Sequence, residues 1–253
     1  VTSDGLAAFI AARGGKHCRF KRGYKNVINE AIRLNEAGEY APLAIETSGH
    51  AALKENYFLD DGAYLVTRLL IALAKAAKSG GEITDIIKDL PMPKEAAELR
   101  PTFARGSDFA ALGKGVLADL EKFVSGLSYA APAPDNREGV RVNFDKEHGD
   151  GWALVRMSLH EPILPINAES DSEGGVRLIV RELYEFLKTY PFLDLSSLKK
   201  LLGADAADAA SDEDNDKNKT EEPVMTEHTE EAKELAVTPC KRADAGAIPI
   251  CLN

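Results

Sequence analysis

The fold is decided by PLAIETSGH, residues 42–50, in which a short apolar strand runs directly into a polar turn. Helical periodicity predicts helices on either side of it, over 24–38 and 63–78. Strands that alternate with helices at this spacing indicate a parallel sheet of the βαβ type. Ligands bind at the carboxyl ends of the strands in such sheets. The turn ETSGH, residues 46–50, lies at that end and is therefore the first candidate for a binding site.

The side chains of ETSGH form a dense set of hydrogen-bonding groups. Glu46 offers a carboxylate that accepts hydroxyl donors, and Ser48 both donates and accepts. Gly49 allows a close approach or a positive φ, and His50 adds a donor whose charge switches near neutral pH. Such a set suits the vicinal hydroxyls of a sugar ring. The alternative is a turn whose polar side chains satisfy their own backbone.

Two neighbouring segments extend this candidate site. Lys25, in GYKN, stands at the start of a helix and against the helix dipole, which favours a functional cation over a solvated lysine. Asp60 and Asp61 could hold a metal with His50, but two acids before an apolar helix more often cap it. We therefore assign no metal ligand.

A second candidate site is the turn RMSLHEP, residues 156–162, between two strands. Arg156 offers a bidentate fork to a phosphate, and Ser158 adds a hydroxyl. His160 can donate as well. An anion site and a plain polar loop are both open interpretations of this turn.

The predicted fold class is α/β, with a partial parallel βαβ domain, a small α+β domain and a disordered acidic tail. The first domain spans 1–128 with a helical extension, and the Pro- and Ala-rich composition of 129–139 suggests a linker. Strands followed by a helix indicate the α+β domain over 140–202. Residues 203–253 carry 13 acids and 5 bases and few aromatics, so we expect disorder there.

Composition limits the classes of partner. Most of the net charge of −10 lies in the tail, because residues 1–202 carry 28 acids and 26 bases. We expect no nucleic-acid partner, since clustered Lys and Arg are missing. We expect no membrane partner, since Arg68 and Lys75 interrupt the longest apolar stretch. The sequence starts at Val1 in what reads as the interior of a domain, so we expect a fragment or a processed product.

Taken together, ETSGH, the following KENYFLDDGAY and the distal GWALVRMSLHEP resemble the α-D-phosphohexomutase superfamily of phosphoglucomutases and phosphomannomutases. The closer similarity is to its plant and algal, plastid-type branch. The resemblance implies a C-terminal fragment with part of domain 3 and domain 4 of an isomerase. Such an enzyme interconverts hexose 1-phosphate and hexose 6-phosphate by intramolecular phosphoryl transfer, with Mg²⁺ bound elsewhere in the full-length protein. It also implies the chloroplast as the compartment, with the cytoplasm as the alternative.

The resemblance also implies roles for individual residues. Those that would bind the sugar are Glu46, Ser48, His50, Tyr24 and Lys25, and those that would bind the phosphate are Arg156, Ser158 and His160. No catalytic residue is carried over, because the phosphoserine and metal loops do not occur in this sequence, so the fragment alone is expected to be inactive. Leu159 and Asn167 depart from the family pattern, the latter where a second arginine is usual. These departures leave a non-catalytic sugar-phosphate-binding paralogue as the alternative.

Overall fold

The stretch PLAIETSGH forms a β-hairpin. A computed structural model places strand β1 at Leu43–Ile45 and strand β2 at Ala51–Leu53, paired antiparallel. The Glu46 amide donates to the His50 carbonyl across the turn, and Gly49 adopts a φ of +91°. The parallel pairing predicted for this region is therefore wrong here. Parallel neighbours need a crossover of about a dozen residues or more, and the turn ETSGH is far shorter.

The structure describes residues 2–134, 136–158 and 161–203, which all lie in one unit. The helices are α1 (Asp4–Ala12), α2 (Tyr24–Glu36), α3 (Gly62–Lys78), α4 (Phe109–Ser125), α5 (Gly175–Leu187) and α6 (Ser196–Leu202). The further strands are β3 (Glu95–Leu99), β4 (Thr102–Phe103), β5 (Ala130–Pro132), β6 (Val140–Phe144), β7 (Gly151–Val155), β8 (Ile166–Ser170) and β9 (Leu193–Asp194). The mixed α/β class is confirmed. The tail predicted over 203–253 lies, after Gly203, outside the described residues.

Helix α2 packs on the β1–β2 hairpin through a small apolar cluster. Ala31 of α2 and Ala44 of β1 are buried in it, and Val27 and Ile28 pack against them. Three-to-four-residue spacing of these apolar positions gives α2 its inward face. Residues 16–20, between α1 and α2, form no strand.

Five strands form one antiparallel sheet in the order β3–β8–β7–β6–β5. Successive residues of a strand face opposite sides, so Val142, Ala153 and Ala168 line up on one face of the sheet. Helices α4 and α5 cover that face and enclose the main hydrophobic core. Arg141 and Trp152 lie on the opposite face, where the Arg141 guanidinium stacks 3.6 Å from the Trp152 ring centroid. Strands β4 and β9 pair separately.

The five-stranded sheet includes strands from outside the predicted α+β range 140–202. Strand β3 pairs with β8, and α4 packs on the same core, although both belong to the predicted range 1–128. Strand β5 pairs with β6, although it falls in the predicted linker 129–139. The five-stranded sheet therefore draws β3 and β5 from outside the range 140–202, while the domain boundaries themselves stay predictions. Composition misled here because strand pairing between distant segments leaves no local signal.

Helix α3 is exposed, although its apolar composition predicts a buried helix. None of its residues is buried, and its most exposed large apolar side chains are Val66, Leu69, Leu70, Ile71 and Leu73. Composition reports how apolar a helix is but not which element covers it. No helix in the described ranges combines the length and the apolar character needed to cross a bilayer.

Candidate functional site

Glu46 is the centre of the turn ETSGH. Its Oε1 accepts a hydrogen bond from the Gly23 amide at 2.8 Å, and its Oε2 accepts one from the Ser48 hydroxyl at 3.0 Å. Gly23 is the N-cap of α2 with a φ of +105°, so this bond ties the start of α2 to the hairpin. The Arg22 Nε lies 3.9 Å from Glu46 Oε1. With its side chain only 12 % exposed, Glu46 presents its carboxylate in one fixed orientation.

His50 closes the turn and is held from two sides. Its Nδ1 lies 2.7 Å from Asp60 Oδ2, and its ring stacks on Tyr24 at 5.0 Å between centroids. The Lys25 ammonium lies 5.8 Å from the centroid of the Tyr24 ring. The side chain of His50 is half exposed, so it is oriented by these contacts and open to a ligand. The residues assigned to sugar binding therefore come together at the start of α2 and the end of the hairpin.

Asp60 and Asp61 have separate structural roles. Asp61 caps α3, because its Oδ1 accepts from the Tyr64 amide at 3.0 Å. That hydrogen bond lowers the pKa of Asp61 below its ordinary value. The capping interpretation is confirmed. Within the described ranges no three His, Cys, Asp or Glu side chains cluster as metal ligands do, so the residues here do not fit a Mg²⁺ site.

Arg156 follows β7 and lies against Glu138. Its Nε is 3.8 Å from Glu138 Oε1, and its side chain is only 13 % exposed. The Nε is buried and makes no hydrogen bond to any described residue. Burial lowers the pKa of Arg156, and the positive charge of Arg22 lowers it further. Burial also raises the pKa of Glu138, against the effect of the Arg156 charge. The guanidinium is thus a partly desolvated cation with donor capacity left for a ligand.

The rest of the turn 156–162 is partly described. The Ser158 hydroxyl accepts a hydrogen bond from the Glu161 amide at 3.2 Å. Met157 points into the core against α4, where a side chain on Gly113 would meet its Sδ at 1.9 Å. This packing fixes the backbone between Arg156 and Ser158. His160, predicted to bind phosphate, lies outside the described residues together with Leu159.

Arg22 and Glu138 join the two turns, and sequence reasoning missed both. The backbone of Arg22 donates a hydrogen bond to the Glu138 carboxylate, while its guanidinium lies beside Glu46. The Arg22 charge also acts on Arg156. No local pattern could have paired residues so distant in sequence. The one available signal was position, because Arg22 directly precedes the Gly23 that starts the candidate site.

The chain is similar to known phosphoglucomutases and phosphomannomutases. The phosphoglucomutase/phosphomannomutase alpha/beta/alpha domain III matches residues 1–91. A phosphomannomutase/phosphoglucomutase from Pseudomonas aeruginosa is 30% identical over 175 residues, which cover 69% of this chain and 34% of that protein. These matches support a relationship between this chain and the phosphohexomutase superfamily. A phosphoglucomutase from Neisseria gonorrhoeae is likewise 30% identical over 189 residues, covering 74% of this chain and 37% of the relative.

A solved phosphohexomutase structure has the same fold. The crystal structure of a phosphoglucomutase/phosphomannomutase family protein from Burkholderia thailandensis matches with a TM-score of 0.58 at 26% identity. The match covers 76% of this chain and 37% of that one. The chain spans about a third of the length of the curated relatives it matches. The domain III match of the superfamily includes the turn ETSGH with Tyr24 and Lys25, whereas Arg156 lies beyond it.

Proposed function

We propose that this chain supplies the sugar- and phosphate-binding half of a phosphohexomutase that interconverts hexose 1-phosphate and hexose 6-phosphate. Phosphoryl transfer depends mainly on positioning the substrate and neutralising its charge. Glu46 and Ser48 would hold ring hydroxyls, with His50 and Tyr24 beside them. Arg156 would neutralise the phosphate that is not being transferred.

One observation carries this proposal. The Arg22 backbone bonds Glu138, which lies against Arg156, while the adjacent Gly23 amide bonds Glu46. Two consecutive residues thus connect the turn ETSGH, proposed to bind hydroxyls, with the cation proposed to bind phosphate. This connection supports one ligand with hydroxyls at one end and a phosphate at the other.

Binding can be tested on the chain itself. Titration of the ¹⁵N-labelled chain with glucose 6-phosphate should give saturable shifts, and Glu46→Gln should weaken binding about tenfold, because it loses a charge-assisted hydrogen bond. Thr47→Ala is the matched control, since Thr47 is a neighbour in the same turn. Equal effects of the two substitutions, or no binding by the wild-type chain, would contradict the sugar-binding role.

The alternative is a sugar-phosphate-binding paralogue that has lost the mutase chemistry. The neutral residues Leu159 and Asn167 favour it, because they stand where the superfamily pattern expects other ligands. A coupled assay of glucose 1-phosphate conversion separates the two. The chain alone should show no turnover under either proposal. The full-length gene product should turn over if it is a mutase, and should bind without turnover if it is the paralogue.

Mg²⁺ and the compartment are further parts of the proposal. We propose that Mg²⁺ acts in the full-length protein through residues outside those described, where it would supply charge neutralisation for the transferred phosphoryl group. We also propose the plastid as the compartment, with the cytoplasm as the alternative. Imaging a fluorescent fusion of the full-length protein would decide between the two compartments.

A further inference from the structure

The backbone around Arg22 is fixed between two carboxylates from different parts of the chain. The Arg22 backbone bonds the Glu138 carboxylate, and the next amide, of Gly23, bonds Glu46 Oε1 at 2.8 Å. Gly23 has a φ of +105°, which turns the chain sharply into α2. Residue 22 therefore has one defined position, between the hydroxyl-binding turn and the loop that precedes β6.

The Arg22 guanidinium is not used by these bonds. Its Nε lies 3.9 Å from Glu46 Oε1, which is too long for a hydrogen bond. Within the described ranges it donates no side-chain hydrogen bond, and the side chain is 45 % exposed. A guanidinium carries five N–H donors in a fork that matches phosphate geometry. The donors of Arg22 are therefore available to a ligand at this position.

Arg156 is the second arginine beside Glu138. Its Nε is buried without a hydrogen bond to any described residue, and the positive charge of Arg22 reaches it. Glu138 and Glu46 offset part of the repulsion between these two cations, and a further anion bound between the guanidiniums would offset more of it. A dianionic phosphate would accept from both guanidiniums and would relieve this repulsion.

We propose that Arg22 is a second phosphate-binding arginine, which acts with Arg156 on the phosphate of one hexose phosphate. This inference rests on the proposed function and adds a contact to the same site. The phosphate would lie between Arg22 and Arg156, and the sugar ring would extend from it toward Glu46 and Ser48. The two parts of the chain would then each donate one guanidinium to one anion.

Arg100 is a matched control for this role. Its charge also reaches Arg156, but its Nε and Nη2 already donate to Glu98 Oε1, at 3.0 and 2.7 Å. Its side chain is 63 % exposed, at the end of β3. Arg100 therefore shares the positive field of the site while its donors are directed toward Glu98.

The test is the affinity of the 253-residue chain for glucose 6-phosphate, measured by NMR titration. Arg22→Gln should weaken binding about tenfold or more, as loss of one charge-assisted contact predicts. Arg100→Gln should stay within about twofold, because exposed charges are screened. Arg22→Lys keeps the charge but loses the fork, so its affinity should fall between those of wild type and Arg22→Gln. In the wild type, the Arg22 Nε–Hε resonance should shift with glucose 6-phosphate and not with glucose.

The possible outcomes separate the inference from the proposed function. If Arg156→Gln weakens binding and Arg22→Gln does not, the inference fails and the proposed function stands. If Arg22→Gln and Arg100→Gln weaken binding equally, Arg22 acts only through general charge and the inference also fails. If the wild-type chain does not bind glucose 6-phosphate, the proposed function fails as well. If the urea unfolding curve of each variant matches that of wild type, its lower affinity for glucose 6-phosphate reflects a lost contact and not a loss of folding.

Discussion

The Glu138 carboxylate competes with any anion that approaches Arg156. Its Oε1 lies 3.8 Å from Arg156 Nε, and its side chain is only 19 % exposed. Burial raises its pKa, because desolvation disfavours the charged form. A carboxyl with a raised folded pKa costs stability above that pKa, and the cost disappears as the pH falls below the unfolded value. The ionised form of Glu138 is therefore a desolvated counter-ion for the arginine.

Replacing Glu138 with glutamine should tighten anion binding. Glu138→Gln keeps an oxygen that accepts from the Arg22 backbone but removes the competing charge. We expect sulfate to bind about fivefold more tightly than to wild type at pH 7, equivalent to ~1 kcal/mol. Sulfate is the appropriate probe because the second pKa of a phosphate monoester is about 6, so its charge changes in the same range.

The affinity for sulfate should change with pH in a defined direction. As the pH falls through the raised pKa of Glu138, wild type loses the competing charge and its affinity for sulfate should approach that of Glu138→Gln. The variant should show a flatter profile over the same range. Tighter sulfate binding by wild type than by Glu138→Gln at pH 7 would contradict the role of Glu138 as competitor.

Gly139 lets Glu138 and Arg156 approach each other. It has a φ of +97°, and a Cβ there would lie 2.3 Å from the Val155 carbonyl oxygen and 2.8 Å from Arg156 Cα. Only glycine satisfies both the dihedral angle and the close approach of the two backbones. The position of Arg156 therefore depends on a residue without a side chain.

Gly139→Ala should destabilise the chain more than Gly106→Ala does. Gly106 has a φ of +78°, but a Cβ at this position would meet no atom within 4 Å, so alanine there adds only dihedral strain. That strain costs about 1–2 kcal/mol, and the clash at Gly139 should add at least another ~1 kcal/mol. Urea unfolding of both variants measures the difference. Equal losses would mean that the backbone around Arg156 relaxes freely.

At the scale of the elements, periodicity predicted the helices and strands that depend on local sequence. It did not predict how distant segments pair or pack. The helices predicted over 24–38 and 63–78 lie within a few residues of the observed bounds of α2 and α3. The strands followed by a helix that were predicted over 140–202 are observed as β6, β7, β8 and α5, because alternation and length are local properties. The antiparallel order of the sheet and the exposure of α3 were not predictable, since both depend on which distant element packs against them.

Substitutions at the start of α3 distinguish the role of Asp61 from that of Asp60. Asp61 caps the helix through the Tyr64 amide, whereas Asp60 holds His50. Asp61→Ala should therefore lower the Tm, and Asp60→Ala should leave the Tm closer to wild type while weakening glucose 6-phosphate binding. Differential scanning fluorimetry and the NMR titration measure these two effects.

The pKa of Asp61 predicts how the Tm effect varies with pH. The Tyr64 amide lowers that pKa, so the stabilisation is present above the ordinary carboxyl pKa and is lost as the pH falls through the folded value. The difference in Tm between wild type and Asp61→Ala should shrink in acid, and that for Asp60→Ala serves as the control. A difference for Asp61→Ala that grows as the pH falls would contradict the capping role.

At the scale of the whole molecule, Arg141 joins the five-stranded sheet to the start of the chain. Its side chain is 3 % exposed, its Nη2 lies 2.7 Å from Asp4 Oδ1, and its Nη1 donates to the Thr2 carbonyl at 3.1 Å. Trp152 stacks against the same guanidinium. The sequence offered no sign of this contact, because Arg141 reads as one polar position in an alternating strand. The sheet and α1 are therefore held together by a buried charge and its partner.

A double-mutant cycle should reveal this connection as a large coupling energy. Asp4→Asn leaves the buried Arg141 charge without its carboxylate, and Arg141→Met removes the charge itself. We expect a coupling of about 1–2 kcal/mol in urea unfolding, because Arg141 is buried, whereas Asp4 is 55 % exposed and also pairs with Arg19. The Lys16–Glu39 pair, with side chains 78 % and 52 % exposed, is the control and should couple by less than about 0.5 kcal/mol. A coupling between Asp4 and Arg141 as small as the control would mean that the sheet and α1 are held together by packing alone, with the ion pair contributing nothing to their association.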